Sequence, residues 1–356
     1  MNDYIQERSG LEQLDGYSGR TVVADIYLDS NESPYPMPQA IHTMVMEKMQ
    51  SLPFNRYPKT NIRENIAQDL GLKAENVQIG NGSSQLLEVC CKAFGGVGRK
   101  VAFPYPSFAM YKTYALLSDS IPAAFDLDKD FKIDVDSLLT FLQKEQPHVL
   151  ILCNPNNPTG TINKVEDLLK ILDATQCLVL VDEAYMEFSD QSLLPYLDKY
   201  DNLIILKTFS KAYGLASSRV GYLVCKNEQI MQTISKVILP YHVNKMSLVV
   251  AETVYANKEN YQEQIKDVIA QRKILSQQLT ELGFTVYPSQ TNFVLCNLNG
   301  SAQQGQELFD FLLANKILVR NFTAHPKLNG SLRITLGTKE ENELLLAKIK
   351  EYLKEK

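Results

Sequence analysis

Histidine is sparse in this chain: His42, His148, His242 and His325 are scattered, with no metal-ligand spacing between them. Six cysteines (Cys90, Cys91, Cys153, Cys177, Cys225 and Cys296) form no CxxC pair. Most of them lie in apolar segments, which reads as reduced core thiols rather than disulfides or metal ligands. The opening residues, Met1 to Arg8, lack the apolar core of a signal peptide, and no later stretch is apolar for the length of a membrane span. Block charge is missing too. The net charge of −5 is modest and the signs are interspersed, so no basic stripe points to nucleic acid and no charged tail stands out. Internal repeats and low-complexity linkers are absent. These gaps argue against metal chemistry, membrane insertion and nucleic-acid binding, and lead us to expect a soluble, cytoplasmic protein.

At 356 residues the chain exceeds one typical core. Between residues 77 and 225, apolar runs of strand length alternate with helical patterns, which predicts a mainly parallel, open α/β sheet covered on both faces. Beyond Cys225 the pattern changes. A helical stretch from about Leu248 to Leu282 precedes strands near Phe284–Tyr287, Asn292–Cys296, Ile317–Arg320 and Ser331–Gly337, with helices at Gln306–Asn315 and Lys339–Leu353. That reads as a smaller α+β domain. The expected division is an N-terminal arm with part of the small domain (1–47), a large domain (48–245) and a C-terminal small domain (246–356).

The stretch Leu206 to Gly221 organises the rest. Lys211 lies between an apolar strand end and Arg219, with hydroxyls at Thr208 and Ser210. Hydroxyls and a guanidinium fork can share phosphate oxygens. A lysine flanked by apolar groups and a fixed cation loses its proton more easily, and the neutral amine can attack an aldehyde. Gly82, Ser83 and Ser84 open a helix after a strand, where backbone N–H groups and the helix dipole attract an anion, although helix capping by either serine explains the same residues. Asp182 ends a near-continuous apolar strand. A buried carboxylate needs a cationic partner, no basic residue nearby in sequence supplies it, and a cofactor cation is the candidate. The loop Asn154 to Gly160 carries two prolines that suit a rigid amide. Phe108, just past a strand end, could stack on a flat ring or serve as core.

In their order along the chain, Asn31-Glu32-Ser33-Pro34, Asn55-Arg56-Tyr57-Pro58, Gly80-Asn81-Gly82-Ser83-Ser84, Asn154 to Gly160, Asp182-Glu183-Ala184-Tyr185, Thr208-Phe209-Ser210-Lys211-Ala212, Arg219-Val220-Gly221-Tyr222 and Leu332-Arg333-Ile334 form a pattern. With it, the chain resembles the fold-type-I pyridoxal 5′-phosphate enzymes and, within them, the histidinol-phosphate aminotransferase family. The resemblance covers essentially the whole chain. It implies a large domain with a seven-stranded-type sheet sandwiched by helices, plus the smaller α+β domain. It also implies a Schiff base between Lys211 and the cofactor, with Asp182 on the pyridinium nitrogen. Asn157 and Tyr185 would reach the ring hydroxyl and Phe108 the ring face. Gly82, Ser83, Ser84, Thr208, Ser210 and Arg219 would hold the phosphate, joined by Tyr57 from the other subunit of a homodimer. Arg333 would grip the substrate anion.

The implied reaction is transamination from histidinol phosphate to 2-oxoglutarate, with small-molecule donor and acceptor as the only partners besides the second subunit. Arg320 beside Arg333 would suit a phosphate dianion, with Tyr17 from the other subunit's arm, and Asn31 is a further substrate-binding candidate; a surface salt bridge is the plainer role for Arg320. The chain departs from the family pattern at Ser33, Phe108 and Lys207, where Asn, Tyr and Arg are usual. The alternatives are an aromatic amino-acid aminotransferase and a threonine-phosphate decarboxylase-like enzyme.

Overall fold

A computed structural model describes residues 7–8, 10–14, 16, 22–298, 300–328 and 330–355. The strands among them are β1 (Ile26–Leu28), β2 (Val77–Asn81), β3 (Lys100–Tyr105), β4 (Ile121–Asp126), β5 (Val149–Cys153), β6 (Leu178–Asp182), β7 (Leu203–Thr208), β8 (Val220–Val224), β9 (Phe284–Val286), β10 (Phe293–Leu298), β11 (Ile317–Phe322) and β12 (Ser331–Thr335). The α-helices are α1 (Gln39–Gln50), α2 (Ile62–Asp69), α3 (Gly82–Phe94), α4 (Met110–Leu117), α5 (Val135–Glu145), α6 (Val165–Ala174), α7 (Glu228–Val237), α8 (Lys245–Ala256), α9 (Gln262–Glu281), α10 (Ala302–Ala314) and α11 (Lys339–Lys354).

Seven strands form one sheet in the order β2-β8-β7-β6-β5-β3-β4, parallel except for β8, which runs against both its neighbours. Strands β5 to β8 are buried along their whole length, which is why they read as unbroken apolar runs. Their side chains still alternate between two cores. Leu150, Leu152, Val179, Val181 and Ile205 pack on one face, while Ile151, Leu180, Ile204 and Leu206 pack on the other beneath Leu86 and Tyr111.

A second sheet has the order β1-β11-β12-β10-β9. Its first strand comes from the N-terminal region and pairs in parallel with β11, Ile26 opposite Ile317. That pairing brings residues 29 to 31 alongside β12 and so towards the ends of the large sheet.

The continuous helix expected over 248–282 is two helices. α8 stops at Asn257, a short 3-10 turn covers Lys258–Tyr261, and α9 starts at Gln262. Asn257 explains the break, since its amide Nδ2 donates to the Thr253 carbonyl at 2.8 Å and competes with the backbone ladder. The aromatic ring of Tyr261 is buried and anchors the turn.

Candidate active site

The carboxyl ends of β5, β6 and β7 converge where open α/β sheets place their ligands. Lys211 stands three residues beyond β7 (208 to 211) and is half-buried. Its Nζ donates to the Ser30 carbonyl at 3.1 Å. Burial, together with the nearby Arg333 and Arg219 guanidinium groups, lowers its pKa to about 8, against the opposing pull of Glu32 and Asp182. A sizeable neutral fraction therefore exists near physiological pH.

Asp182 ends β6 and is 4 % exposed. Burial raises its pKa to about 6; the Tyr111 hydroxyl at 2.8 Å and the Ala184 backbone N–H at 3.2 Å act in the other direction. Among the described residues it has no ion-pair partner within 4 Å. Tyr111 was not singled out from the sequence, although it lies three positions after Phe108 in the first turn of α4. The two rings meet edge to face with centroids 5.5 Å apart.

The anion cradle is assembled from three segments. Among the described residues the Gln85 amide oxygen accepts from the Asn81 N–H at 2.7 Å, but the N-cap side chain accepts nothing from the first turn of α3, and neither Ser83 nor Ser84 is the cap that the sequence allowed. Two glycines keep the cradle open. A Cβ on Gly82, whose φ is +74°, would come within 2.5 Å of the Arg219 guanidinium, and one on Gly221 would come equally close to the Ser83 backbone nitrogen. Arg219 donates from Nη1 to the Ser210 hydroxyl at 3.3 Å, and the Thr208 hydroxyl accepts from the Ser210 backbone N–H at 3.2 Å. Hydroxyls, a helix N-terminus and a guanidinium thus surround one point.

On the other side, Arg333 of β12 is 7 % exposed. Its guanidinium donates to Asn157 Oδ1 at 2.6 Å and to the Asp29 carbonyl, while Nε is buried with no partner among the described residues. Asn31, 1 % exposed, donates from Nδ2 to the Tyr185 hydroxyl at 2.9 Å, and its Oδ1 accepts from Thr335. Arg320 stands directly across the ladder from Arg333. It is exposed and forms no ion pair among the described residues. Two facing arginines repel each other unless an anion lies between them.

Not every expected residue joins this cluster. The Tyr57 side chain is 74 % exposed and stacks on Tyr241, with centroids 4.1 Å apart, on a surface of the monomer. Tyr17 lies outside the described residues. His242 bonds the Leu239 and Ile79 carbonyls, and His325 packs against Tyr105 and Phe322.

The donor set fits a molecule with a phosphate at one end, a cationic ring nitrogen at the other and a carbonyl carbon within reach of Lys211. A buried carboxylate with no ion-pair partner among the described residues, a helix start whose first-turn N–H groups the N-cap side chain leaves free and a lysine of lowered pKa are the three matching requirements. The aminotransferase class I and II family model matches residues 24–349. A histidinol-phosphate aminotransferase 1 of Carboxydothermus hydrogenoformans is 39 % identical over 356 residues, spanning 99 % of this chain and 100 % of that protein. A histidinol-phosphate aminotransferase of Thermoanaerobacter sp. (strain X514) is 36 % identical, spanning 96 % and 98 %. The crystal structure of histidinol-phosphate aminotransferase from Sinorhizobium meliloti in complex with pyridoxal-5'-phosphate superposes with a TM-score of 0.85 at 22 % identity, covering 94 % of this chain and 92 % of that one. With a match spanning almost its whole length and relatives of this similarity, the chain belongs to the aminotransferase class I and II family.

Proposed function

We propose that this protein is a pyridoxal-phosphate-dependent aminotransferase that moves the amino group of histidinol phosphate to 2-oxoglutarate, giving imidazole acetol phosphate and glutamate. The single observation that carries the reading is the depressed lysine, Lys211, set among a cation-seeking carboxylate, an anion cradle and the buried Arg333. When bound, pyridoxal phosphate supplies the aldehyde that takes up the donor's amino group and a protonated ring that withdraws electrons from the donor's α-carbon.

The chain's residues do the rest. Asp182 holds the proton on the ring nitrogen by opposite charge. Lys211, as a neutral amine, would take the proton from the donor's α-carbon and deliver it to the carbon on the far side of the amino nitrogen, the former aldehyde carbon of the cofactor. Gly82, Ser83, Ser84, Thr208, Ser210 and Arg219 hold the cofactor phosphate. Asn157 and Tyr185 orient the ring, and Phe108 covers one face. Arg333 and Arg320 receive the substrate's carboxylate or phosphate, helped by Asn31 and Tyr17, so that glutamate and a phosphate monoester can share one site.

The active unit is a homodimer. Met46, Phe54, Tyr57, Leu239, Tyr241 and Met246 are each exposed, with Tyr57 stacked on Tyr241, and in this reading a second copy covers them and receives Tyr57 at its phosphate site. In this reading residues 1–47, 48–245 and 246–356 are the arm, the large domain and the small domain, and the enzyme works in the cytoplasm. The test is to mix cofactor-loaded protein with histidinol phosphate or phenylalanine and follow the cofactor's long-wavelength absorbance. Fast loss with histidinol phosphate supports the proposal. Reaction with phenylalanine alone would instead favour an aromatic amino-acid aminotransferase.

A further inference from the structure

Four residues before Lys211, a second lysine is buried under the site with no role in the chemistry described above. Lys207 lies on β7, and its side chain is 8 % exposed. Nζ stands 3.2 Å from Glu183 Oε2 and 3.0 Å from Glu187 Oε1, carboxylates that are themselves 0 % and 14 % exposed. Glu183 is otherwise saturated, accepting from the Ser192 hydroxyl at 2.7 Å and the Leu193 backbone N–H at 2.8 Å. Glu187 is not: its second oxygen is buried without a partner, so Lys207 is its one strong hold among the described residues. Burial works against charge on Lys207, but Glu187 and Glu183 outweigh it and keep the ammonium form.

The two carboxylates bracket a short segment. Asp182 precedes Glu183 in the chain, and Tyr185 lies between Glu183 and Glu187. Lys207 itself is followed by Thr208, whose hydroxyl belongs to the anion cradle. We infer that Lys207 is a positioning residue. By clamping the turn 183–187 against the end of β7, it sets where Tyr185 stands relative to Thr208 and Ser210, and with it the grip on the cofactor. The ladder between β6 and β7 ends with Asp182 opposite Leu206 and the Glu183 N–H on the Leu206 carbonyl; β7 stays paired with β8 as far as Thr208, but the turn that carries Tyr185 and Glu187 has left the sheet. A buried ammonium bonded to two buried carboxylates has little freedom to move, and such outer contacts govern how well the inner ones are aimed.

The inference rests on the pyridoxal-phosphate reading, and the two fail differently. Cofactor dissociation constants are measured by equilibrium dialysis for the unaltered protein and for Lys207→Met, Lys207→Arg and Glu187→Gln, beside thermal midpoints of each cofactor-free protein. Absence of binding by the unaltered protein overturns the functional reading, and the inference falls with it. If the unaltered protein binds, the inference predicts an increase of about tenfold or more for Lys207→Met. Lys207→Arg should restore affinity to within about threefold, because the guanidinium can still bridge both carboxylates. Glu187→Gln should fall between these values and keep the thermal midpoint of the cofactor-free protein near that of the unaltered one; it decides the question if Lys207→Met does not fold. Lowered midpoints with unchanged dissociation constants, in Lys207→Met or in Glu187→Gln, would make the cluster merely structural and overturn the inference.

Discussion

Lys207 and Lys211 share one strand end and meet opposite surroundings. Around Lys207 two carboxylates outweigh burial, and the side chain stays an ammonium ion. Around Lys211 burial acts together with Arg333 and Arg219, and the pKa falls to about 8. One lysine is therefore a fixed cation within a network and the other a reactive amine. The contrast teaches that residue type does not separate structural from chemical lysines; the sign of the nearest buried charge does.

The sharpest way to break the contrast is to remove the reactive partner. Lys211→Ala should lower turnover by roughly a thousandfold or more while the cradle still retains cofactor noncovalently, as steady-state assay and dialysis would report. Asp182→Asn comes next. It removes the charge that holds the ring proton, and turnover should fall roughly a hundredfold or more with little change in fold.

Arg333→Ala should raise KM for both substrates by roughly a hundredfold, since a buried charged contact is lost and Asn157 loses its donor. Arg320→Ala, at the exposed side, should cost about tenfold or less and should weaken a phosphorylated donor more than a carboxylate.

The last effect is on stability rather than turnover. Asp182 has its folded pKa raised from 3.8 to about 6. Between those values the folded cofactor-free protein keeps a proton that the unfolded chain gives up. Its stability therefore falls as pH rises from about 4 through 6, by on the order of 3 kcal/mol. Thermal midpoints across that range should show the slope in the cofactor-free protein, and Asp182→Asn should flatten it.

Much of the large sheet is legible in the sequence because strands buried on both faces must be apolar throughout and the turns after them carry glycine and proline. Asp182, Lys211 and the glycine-rich start of α3 stand out for the same reason: each breaks an apolar or helical pattern where the fold places a site. Less legible are features fixed by distant pairing. β1 finds β11 almost 300 residues away (26 to 317), and nothing local announces it. Tyr111 looks like one more aromatic residue on an apolar helix until the fold sets its hydroxyl 2.8 Å from Asp182. Lys207, noted in the sequence only as a departure from the family pattern, gains its meaning from two carboxylates some twenty residues upstream. The break at Asn257 was readable in principle, because asparagine competes for helix carbonyls, but helical spacing on both sides of it hides the interruption.

The most direct measurement fixes the cofactor in place and asks which lysine holds it. Protein loaded with pyridoxal phosphate is reduced with borohydride, digested, and the labelled peptide sequenced by mass spectrometry. The label should fall on Lys211. A label on Lys207, on any other residue or on none would contradict the account.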